Sequence, residues 1–335
     1  MPDEAKRGIV IPLSYMDSVE DAVSMALDAE NDGFGFVSIG ETAGWSVPPI
    51  LSVIADRTKH IGITDEVLSP YSRTPTTLGQ TAVSLQDLSD GRFRLRLGTS
   101  SPALAENWHG MDFDKPLRRL RESIEIIQQV QRGQSLEYNG EVFQINGLQL
   151  ECPPPAEPAP IDVASFGPKA TELAGRFADG WVPMFLPYEA LKNRLIDLKT
   201  GADEGDRSIE DIRVVPVIQS CVNENSAIAR QYAKAEIAFT VAVYGPFYYR
   251  AISNAGWAAE ADKIRTLWRE GNREDAIDSV PSELLDDLVA AGKPGTVIKQ
   301  IERFESLPGV DTVGIAFFNS MNANERSETM NVLSP

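Results

Sequence analysis

Short apolar runs alternate with longer amphipathic stretches along the chain. The short runs have the length of β-strands, whereas the longer ones carry apolar residues at helical spacing, as Val19, Val23 and Ala26 do in the first of them. Strands that alternate with amphipathic helices are typical of an α/β fold with a parallel sheet. The pattern therefore predicts repeated β-α units from one end of the sequence to the other.

Eight strands and eight helices can be placed on this pattern. The predicted strands are 8–13, 35–39, 61–68, 92–98, 161–165, 180–183, 212–221 and 312–317. The predicted helices are 17–32, 48–58, 76–88, 117–131, 168–178, 188–202, 226–243 and 294–305. This number of elements closes a (β/α)8 TIM barrel, and such barrels commonly fold as one unit. We therefore expect residues 1–335 to form one α/β barrel domain, with an open doubly wound sheet as the alternative.

Two segments interrupt this rhythm. Residues 138–141 contain Asn139-Gly140, a pair that favours a type I′ hairpin turn because both positions tolerate positive φ. Residues 245–280 form an insertion ahead of the last helix and include the aromatic group Phe247, Tyr248 and Tyr249. Three roles are open for this group: a lid on a pocket, a dimer contact, or plain core packing.

Charge and composition limit the partners of the chain. A formal net charge of -18 opposes binding to nucleic acid or to an anionic membrane. No apolar run approaches the about 20 residues that a membrane helix needs. The first residues lack the basic-then-apolar pattern of a secretory signal, so we expect a cytoplasmic location. The acid-rich, lysine-poor balance fits a halophilic protein, with an ordinary acidic enzyme as the alternative.

Several familiar catalytic motifs are absent from the sequence. It contains no G-x-G-x-x-G after a strand, no G-x-x-x-x-G-K-[ST], no G-x-S-x-G and no HExxH. His60 and His109 have no partner at metal-ligand spacing, and Cys152 and Cys221 are far apart, so we expect no metal site and two free thiols. The chemistry of such a barrel must come largely from an organic cofactor.

One strand-to-helix turn has the features of a phosphate site. It runs from Ala164 through Ser165, Phe166 and Gly167 to Lys169. Free backbone N–H groups and the helix dipole favour an anion at such a turn, and the active sites of barrels lie on this face. A plain tight turn is the alternative, and Lys169 is either a phosphate contact or a solvated lysine at the helix start.

Candidate residues also follow the second and fourth strands. Gly98, Thr99 and Ser100 are small, which lets backbone and hydroxyl groups approach a cofactor. Glu41 is a candidate proton donor or orienting acceptor, and Trp45 is placed to wall the cavity beside it. A glutamate that merely starts a loop and a tryptophan that merely packs are the alternatives.

Motifs spread over roughly half of the chain carry a family resemblance. In chain order they are Ala29-Glu30-Asn31-Asp32-Gly33-Phe34, Glu41, Arg73-Thr74-Pro75, Leu88-Ser89-Asp90-Gly91-Arg92-Phe93, Leu95-x-Leu97-Gly98, Arg118-x-x-x-Glu122, Tyr138-x-Gly140-x-x-Phe143, Gly167-Pro168-Lys169-Ala170, and Leu173-Ala174-Gly175-Arg176-Phe177-Ala178-Asp179-Gly180-Trp181. In this order and spacing the chain resembles the luciferase-like monooxygenase superfamily, particularly its branch that uses coenzyme F420, a deazaflavin.

The resemblance implies a redox enzyme that acts on a small-molecule substrate. Hydride then moves between carbon C5 of coenzyme F420 and the substrate, and a homodimer is the habit of the family. An FMN-dependent monooxygenase is one alternative. A paralogue that keeps the barrel without turnover is another.

The resemblance also implies a bulge with a non-prolyl cis peptide, which by position is the bond between Glu66 and Val67. Glu66 stands where the family usually has a small residue, and Arg96 stands where it usually has glycine. Because an interior charge is costly unless it is paired, we predict a Glu66 and Arg96 ion pair in the barrel mouth. Glu66, like Glu41, is a candidate catalytic residue. Glu66 and Val67 are both candidate cofactor contacts.

Overall fold

A curled parallel sheet of ten strands forms the centre of the computed structural model, which describes residues 7–335. In chain order its strands are β1 Arg7–Ile11, β2 Phe36–Ile39, β3 Gly62–Asp65, β4 Phe93–Gly98, β7 Ile161–Ala164, β8 Gly180–Val182, β9 Arg213–Val214, β10 Val217–Val222, β11 Ala290–Gly292 and β12 Val313–Phe317. Across the sheet they lie in the order β11, β10, β12, β1, β2, β3, β4, β7, β8 and β9. Two further strands, β5 Leu136–Asn139 and β6 Gln144–Leu148, pair separately as an antiparallel hairpin.

Helices follow the strands and cover the outside of the sheet. They are α1 Val19–Asn31, α2 Val47–Arg57, α3 Pro75–Leu88, α4 Pro116–Gln131, α5 Pro168–Phe177, α6 Tyr188–Glu204, α7 Ser226–Val243, α8 Pro246–Ile252, α9 Ala258–Arg269, α10 Arg273–Asp278, α11 Ser282–Leu288, α12 Pro294–Glu305 and α13 Ala323–Val332. Within residues 7–335, no helix combines the length and the apolarity that a membrane crossing requires. The predicted α/β alternation is therefore observed for every unit that the sequence placed.

Apolar side chains fill the space on both faces of the sheet. Between sheet and helices lies the large core, in which Leu51, Ile54 and Phe304 are almost completely buried. Inside the curl, Phe36 packs with Val182 and Val217. Gly8 lies against the Phe36 ring so closely that a Cβ atom would collide with it, which explains why this strand position has no side chain.

The predicted seventh strand is interrupted in the structure. β9 ends at Val214 and β10 begins at Val217, and Pro216 between them has no N–H to donate to a ladder. The connection stays close to the sheet, because the N–H of Val215 donates to Trp181 and that of Val217 to Pro183. Residues 213–222 therefore continue in one direction with a kink.

The carboxyl-terminal third contains elements that the sequence did not predict. Residues 245–280 are almost entirely helical, as α8, a π-helical turn, α9 and α10. β11 is a three-residue strand beside β10, and α13 follows the strand that was predicted to be the last element. The layout of this region was therefore wrong in detail, although α12 has the predicted bounds.

The hairpin exists, but its predicted turn type is wrong. Asn139 pairs with Gln144, so four residues connect the strands, and neither Asn139 nor Gly140 has a positive φ. The buried carboxylate of Glu122 instead accepts hydrogen bonds from the N–H groups of 141, 142 and 143, at 2.9, 3.0 and 3.0 Å. A side chain from α4 thus fixes the turn.

We expect Glu122→Gln to lower the free energy of unfolding by about 1–3 kcal/mol, because an amide has only one acceptor atom for three donors. Urea denaturation measures the difference. Glu141→Gln changes an exposed carboxylate of the same hairpin and is expected to cost less than about 0.5 kcal/mol. Equal effects of the two substitutions would contradict the assigned role of Glu122.

Candidate functional site

Three neighbouring strands bring the predicted cofactor contacts together. β4 pairs with β3 on one side and with β7 on the other, and Gly98 lies in register with Ala164. The segments that follow these strands are 66–67, 98–100 and 164–167. Because parallel strands end at the same edge, all three segments meet at the carboxyl-terminal mouth of the curled sheet.

The peptide bond between Glu66 and Val67 is cis, as predicted. Two glycines leave room for this bulge. A Cβ atom at Gly40 would lie 2.8 Å from the carbonyl oxygen of Glu66, and one at Gly98 would lie 2.9 Å from the Val67 side chain. The neighbouring strands β2 and β4 are therefore shaped to accept the bulge at the end of β3.

Asp65 holds the base of the bulge. Its carboxylate is completely buried and accepts the N–H of Arg96 at 2.9 Å and the N–H of Leu68 at 2.5 Å. Burial raises the pKa of Asp65 to about 7, although both N–H donors and the charge of Arg96 act to lower it. The carboxyl thus binds a proton far more readily than it does in the unfolded chain.

The stability of the protein should depend on pH through Asp65. Since the pKa is higher in the folded state than the about 3.9 of an unfolded aspartate, the folded state keeps a proton that the unfolded chain releases. The contribution is present at low pH and is lost as pH rises through about 7, at no more than about 1.4 kcal/mol per pH unit. Urea denaturation between about pH 5 and pH 8 should show a shallower decline for Asp65→Asn than for the unaltered protein. The same slope in both proteins would exclude the assignment.

The predicted ion pair between Glu66 and Arg96 is confirmed. Nη1 of Arg96 donates to Oε2 of Glu66, and the Arg96 side chain is completely buried. Nε of the same guanidinium lies 3.5 Å from Oδ2 of Asp162, whose oxygens also accept from Arg94. The four side chains form a column of alternating charge, Glu66, Arg96, Asp162 and Arg94, that runs inward from the mouth.

The column keeps its central carboxylate ionised. Burial alone would raise the pKa of Asp162, but the charge and hydrogen bond of Arg94 outweigh this effect and lower it. Among residues 7–335, Arg213, next in line, has no carboxylate at ion-pair distance. Burial and the nearby charge of Arg94 lower its pKa to about 10.

The strand-to-helix turn at α5 has an open helix start. Gly167 is the residue before the helix and provides no side-chain cap, while Pro168 has no N–H to donate. The N–H groups of Lys169 and Ala170 belong to the first turn of the helix, whose donors have no intrahelical partner. A Cβ atom at Gly167 would meet no atom within 4 Å, so the space before the helix is free.

The side chains around this turn are arranged differently from the prediction. Lys169 points to solvent and pairs with Glu172 at 2.6 Å. Of its two predicted roles, it therefore has that of a solvated lysine at the helix start. The hydroxyl of Ser165 accepts from the indole N–H of Trp181 at 3.1 Å. Arg194 on α6, which the sequence did not indicate, donates to the carbonyl oxygen of Phe166 at 3.1 Å and is the basic residue beside the turn.

Unpartnered polar atoms mark the mouth as a binding site. The hydroxyl oxygens of Ser38 and Ser100 and Oε1 of Gln219 are buried without a hydrogen-bond partner in the described part of the chain. Buried polar atoms normally find a partner, so three such atoms around one opening indicate a ligand. These features fit a flavin-like or deazaflavin cofactor. The open helix start suits its anionic tail, and the bulge and the unpaired polar atoms suit its polar ring.

Glu41 is fixed by a different basic residue. Its Oε2 accepts from Nη2 of Arg73 at 2.9 Å and from the N–H of Val47 at 2.8 Å, and Oε1 accepts from Nη1 of Arg73. The cation Arg73 is thus bonded to both oxygens, which favours the orienting role over that of a proton donor. Trp45, on the same loop, is 40% exposed and free to contact a ligand.

The three aromatic residues of α8 diverge. Tyr248 lies across the mouth, with its ring 5.0 Å from that of Phe166 and 5.6 Å from that of Phe185. Tyr249 donates to Asp262, and Phe247 approaches Phe113 at 6.5 Å. Only Tyr248 therefore covers the candidate site.

A cavity of about 690 Å³ lies at the opposite, amino end of the sheet. Arg94, Asp179, Arg213 and Asp311 are among its lining residues, so charges of both signs face it. Barrel enzymes place their active sites at the carboxyl end, and the features that fit a cofactor are found there. In residues 7–335, no cluster of three His, Cys, Asp or Glu side chains has the geometry to hold a metal ion.

Sequence reasoning missed three residues that reach the mouth from elements distant in the chain. Arg194 lies on α6, and Gln219 and Glu236 meet there from β10 and α7. The Glu41 partner Arg73 was visible as part of a motif, but no spacing rule connects it with a residue 32 positions earlier. These contacts depend on how the sheet curls, which periodicity does not specify.

Comparisons with known proteins agree with this geometry. The profile of a family described as luciferase-like monooxygenase matches residues 5–311. A Mycobacterium tuberculosis protein named as a coenzyme F420-dependent oxidoreductase is 30% identical over 298 residues, which cover 83% of this chain and 85% of that protein. The 5,10-methylenetetrahydromethanopterin reductase of Archaeoglobus fulgidus is 27% identical over 85% of this chain and 86% of its own length.

The fold also has a close counterpart among solved structures. The coenzyme F420-dependent tetrahydromethanopterin reductase from Methanopyrus kandleri superposes with a TM-score of 0.83. The match covers 99% of this chain and 97% of the reductase at 21% sequence identity. The two chains therefore share their fold.

Proposed function

Because this chain belongs to the luciferase-like monooxygenase family, we propose that it is an oxidoreductase that uses coenzyme F420. Hydride would move between carbon C5 of the deazaflavin and a small organic substrate. The observation that carries the proposal is the arrangement at the mouth: an open helix start, an unpartnered Ser100 hydroxyl and the 66–67 bulge lie on three adjacent strand ends.

The residues divide the binding of the cofactor between them. The N–H groups of Lys169 and Ala170 and the guanidinium of Arg194 would hold the phosphate of the tail. Glu66 and Val67 would support the ring, and Ser100 would bond to a polar atom at its edge. The cofactor supplies the hydride chemistry, and the protein positions it.

Exclusion of water is the task of the aromatic cover. Tyr248, Phe166 and Phe185 close one side of the mouth with apolar surface. A closed, dry mouth strengthens electrostatic interactions and protects a hydride donor from side reactions. The Glu41 and Arg73 pair would fix the loop on the side away from this cover.

The finer architecture supports a complete (β/α)8 barrel. We count residues 213–222 as one kinked strand and β11 as a short addition beside it. A closed ladder is supported by the N–H of Val217, which donates to Pro183, and by the pairing of β10 with β12. Eight positions would then remain around the ring, with residues 245–280 as the insertion before α12.

An FMN-dependent monooxygenase is the second candidate, favoured by the description of the family itself. A barrel without turnover is a third, suggested by Glu66 and Arg96 at the mouth. Against the third stands the depth of the pair: Arg96 is completely buried, so it does not fill the opening. The unpartnered atoms above it point to a ligand instead.

Cofactor titration tests the proposal. Purified protein is mixed with the oxidised deazaflavin or with FMN, and binding is followed by cofactor fluorescence. We expect a dissociation constant in about the micromolar range for the deazaflavin, and binding of FMN at least about 100-fold weaker. The reverse order would establish the monooxygenase reading, and no binding of either would support a barrel without turnover.

A further inference from the structure

One carboxyl group at the mouth is used by neither the bulge nor the ion pairs. Glu236 lies on α7, which packs on β10, and its residue is only 7% exposed. In the sheet order, three strands separate β3 from residues 213–222 in either direction. Glu236 is bonded to Asn319, which follows the carboxyl end of β12, and Tyr244 beside it has its ring 5.9 Å from that of Tyr248. Glu236 therefore lies on the side of the mouth that faces the 66–67 bulge.

Glu236 is held by neutral groups. Its Oε1 accepts from the side-chain amide of Asn319 at 3.0 Å and its Oε2 accepts from the backbone N–H of Asn319 at 3.3 Å. The amide of Gln219, which projects inward from β10, lies beside it. Burial raises the pKa of Glu236, although Asn319 and Gln219 act to lower it.

This setting differs from that of the other two carboxylates at the mouth. Glu41 pairs with Arg73 and Glu66 pairs with Arg96, so each has a cation as its partner. In the part of the chain that the structure describes, the hydrogen-bond partners of Glu236 carry no charge. A buried carboxyl group without a cation partner is in a setting that suits a proton donor to a ligand.

We propose that Glu236 is a catalytic residue that exchanges the substrate's proton, an inference that rests on the proposed function. In the reducing direction the C5–H bond of the reduced, N1-deprotonated deazaflavin breaks, and the hydride forms a C–H bond at the carbonyl carbon of the substrate. The π electrons of the C=O bond move to oxygen, which takes the proton from the Glu236 carboxyl. The products are an alcohol, the oxidised deazaflavin and the Glu236 carboxylate, and the oxidising direction reverses each step.

The surroundings of Glu236 also indicate a class of substrate. Tyr15 and Tyr244 lie next to Glu236 and carry no formal charge at neutral pH. Tyr15 is 45% exposed and Tyr244 is 50% exposed. Rings of this kind offer apolar surface together with a hydroxyl group. The geometry fits carbonyl or alcohol compounds with an apolar body.

A crystal structure of the holoenzyme with oxidised deazaflavin tests the placement. The substrate carbonyl has to fit between the deazaflavin ring and Glu236. The Glu236 carboxyl should therefore lie about 6–7 Å from the exposed ring face, which is the length of a near-attack contact plus that of a hydrogen bond. A separation beyond about 10 Å would overturn the proposal. Absence of the deazaflavin from the mouth would instead refute the proposed function, so the two failures are distinguishable.

A kinetic experiment tests the role. Reduced deazaflavin bound to the enzyme is mixed with acetone, cyclohexanone or benzaldehyde, and its oxidation is followed in a single turnover. Glu236→Gln should slow the step by at least about 100-fold and leave the dissociation constant of the deazaflavin within about threefold. A slowing of less than about threefold would overturn the role of Glu236, and no oxidation by any of the three carbonyls in the unaltered enzyme would overturn the substrate class.

Glu305→Gln is the matched control. It makes the same change in a carboxylate that is 11% exposed, and its partner Arg7 lies at the amino end of β1. Because this site is remote from the mouth, the single-turnover rate should stay within about twofold. An equal loss in both variants would assign the effect to general destabilisation and remove the support for Glu236.

Discussion

Replacing Arg96 by Met will lower the free energy of unfolding by about 3–5 kcal/mol. The substitution removes the cation between Glu66 and Asp162, and the Glu66 side chain, 8% exposed, is left as an uncompensated charge. Methionine fills much of the same space, so the loss reports charge rather than volume. Denaturation in guanidinium chloride, with the midpoint and slope compared between variants, measures it.

The double substitution Arg96→Met and Glu66→Gln is the decisive comparison. Removal of both charges leaves no unpaired ion at the bulge, so most of the lost stability should return. If the double variant were as unstable as the single one, the pair would not be the source of the loss. A single variant within about 1 kcal/mol of the unaltered protein would also refute the prediction.

Gly167→Glu will weaken the binding of the deazaflavin by about 100-fold. A carboxylate about 5 Å from the phosphate costs about 3 kcal/mol at an effective dielectric constant of about 20. The variant should fold normally, because the backbone at Gly167 is extended, with φ -86 and ψ 148, and a Cβ atom there meets nothing within 4 Å. Fluorescence titration measures the affinity, and thermal unfolding verifies the fold.

Gly295→Glu provides the control for charge. Gly295 is likewise next to a proline at a helix start, that of α12, and likewise has open space around its Cβ position. The same change in net charge should leave the affinity for the deazaflavin within about twofold. A comparable loss at both positions would show that overall repulsion, and not the α5 turn, controls binding.

The sequence predicted the elements that pack by regular periodicity. The bounds of α7 and α12 agree with the prediction, because each has an apolar stripe and a recognisable start. β11 was not predicted, because Ala290-Ala291-Gly292 is too short to show an alternation of apolar and polar residues. The start of α13 did carry a signal, the Asn322 and Glu325 capping box, but the helix lacks an apolar stripe.

The hairpin shows how a tertiary contact overrides a local preference. Asn139-Gly140 favours a two-residue turn, yet three N–H groups bonded to Glu122 stabilise a longer connection. The carboxylate lies on the preceding helix, and nothing in the turn sequence reveals it. At the mouth the same limit hid Arg194 and Glu236, whereas Glu66 and Arg96 were predicted because each departs from a recognised pattern on a neighbouring strand.

The inward column of Glu66, Arg96, Asp162 and Arg94 separates the electrostatics of the mouth from those of the surrounding solution. Dissolved ions weaken interactions between exposed charges over about 10 Å, but they cannot enter a packed interior. A chain with a net charge of -18 has an outer field that changes strongly with salinity. The potential at the 66–67 bulge is set largely by Arg96 and Asp162, whose side chains are completely buried, so we expect the chemistry there to change little with the salt concentration of the surroundings.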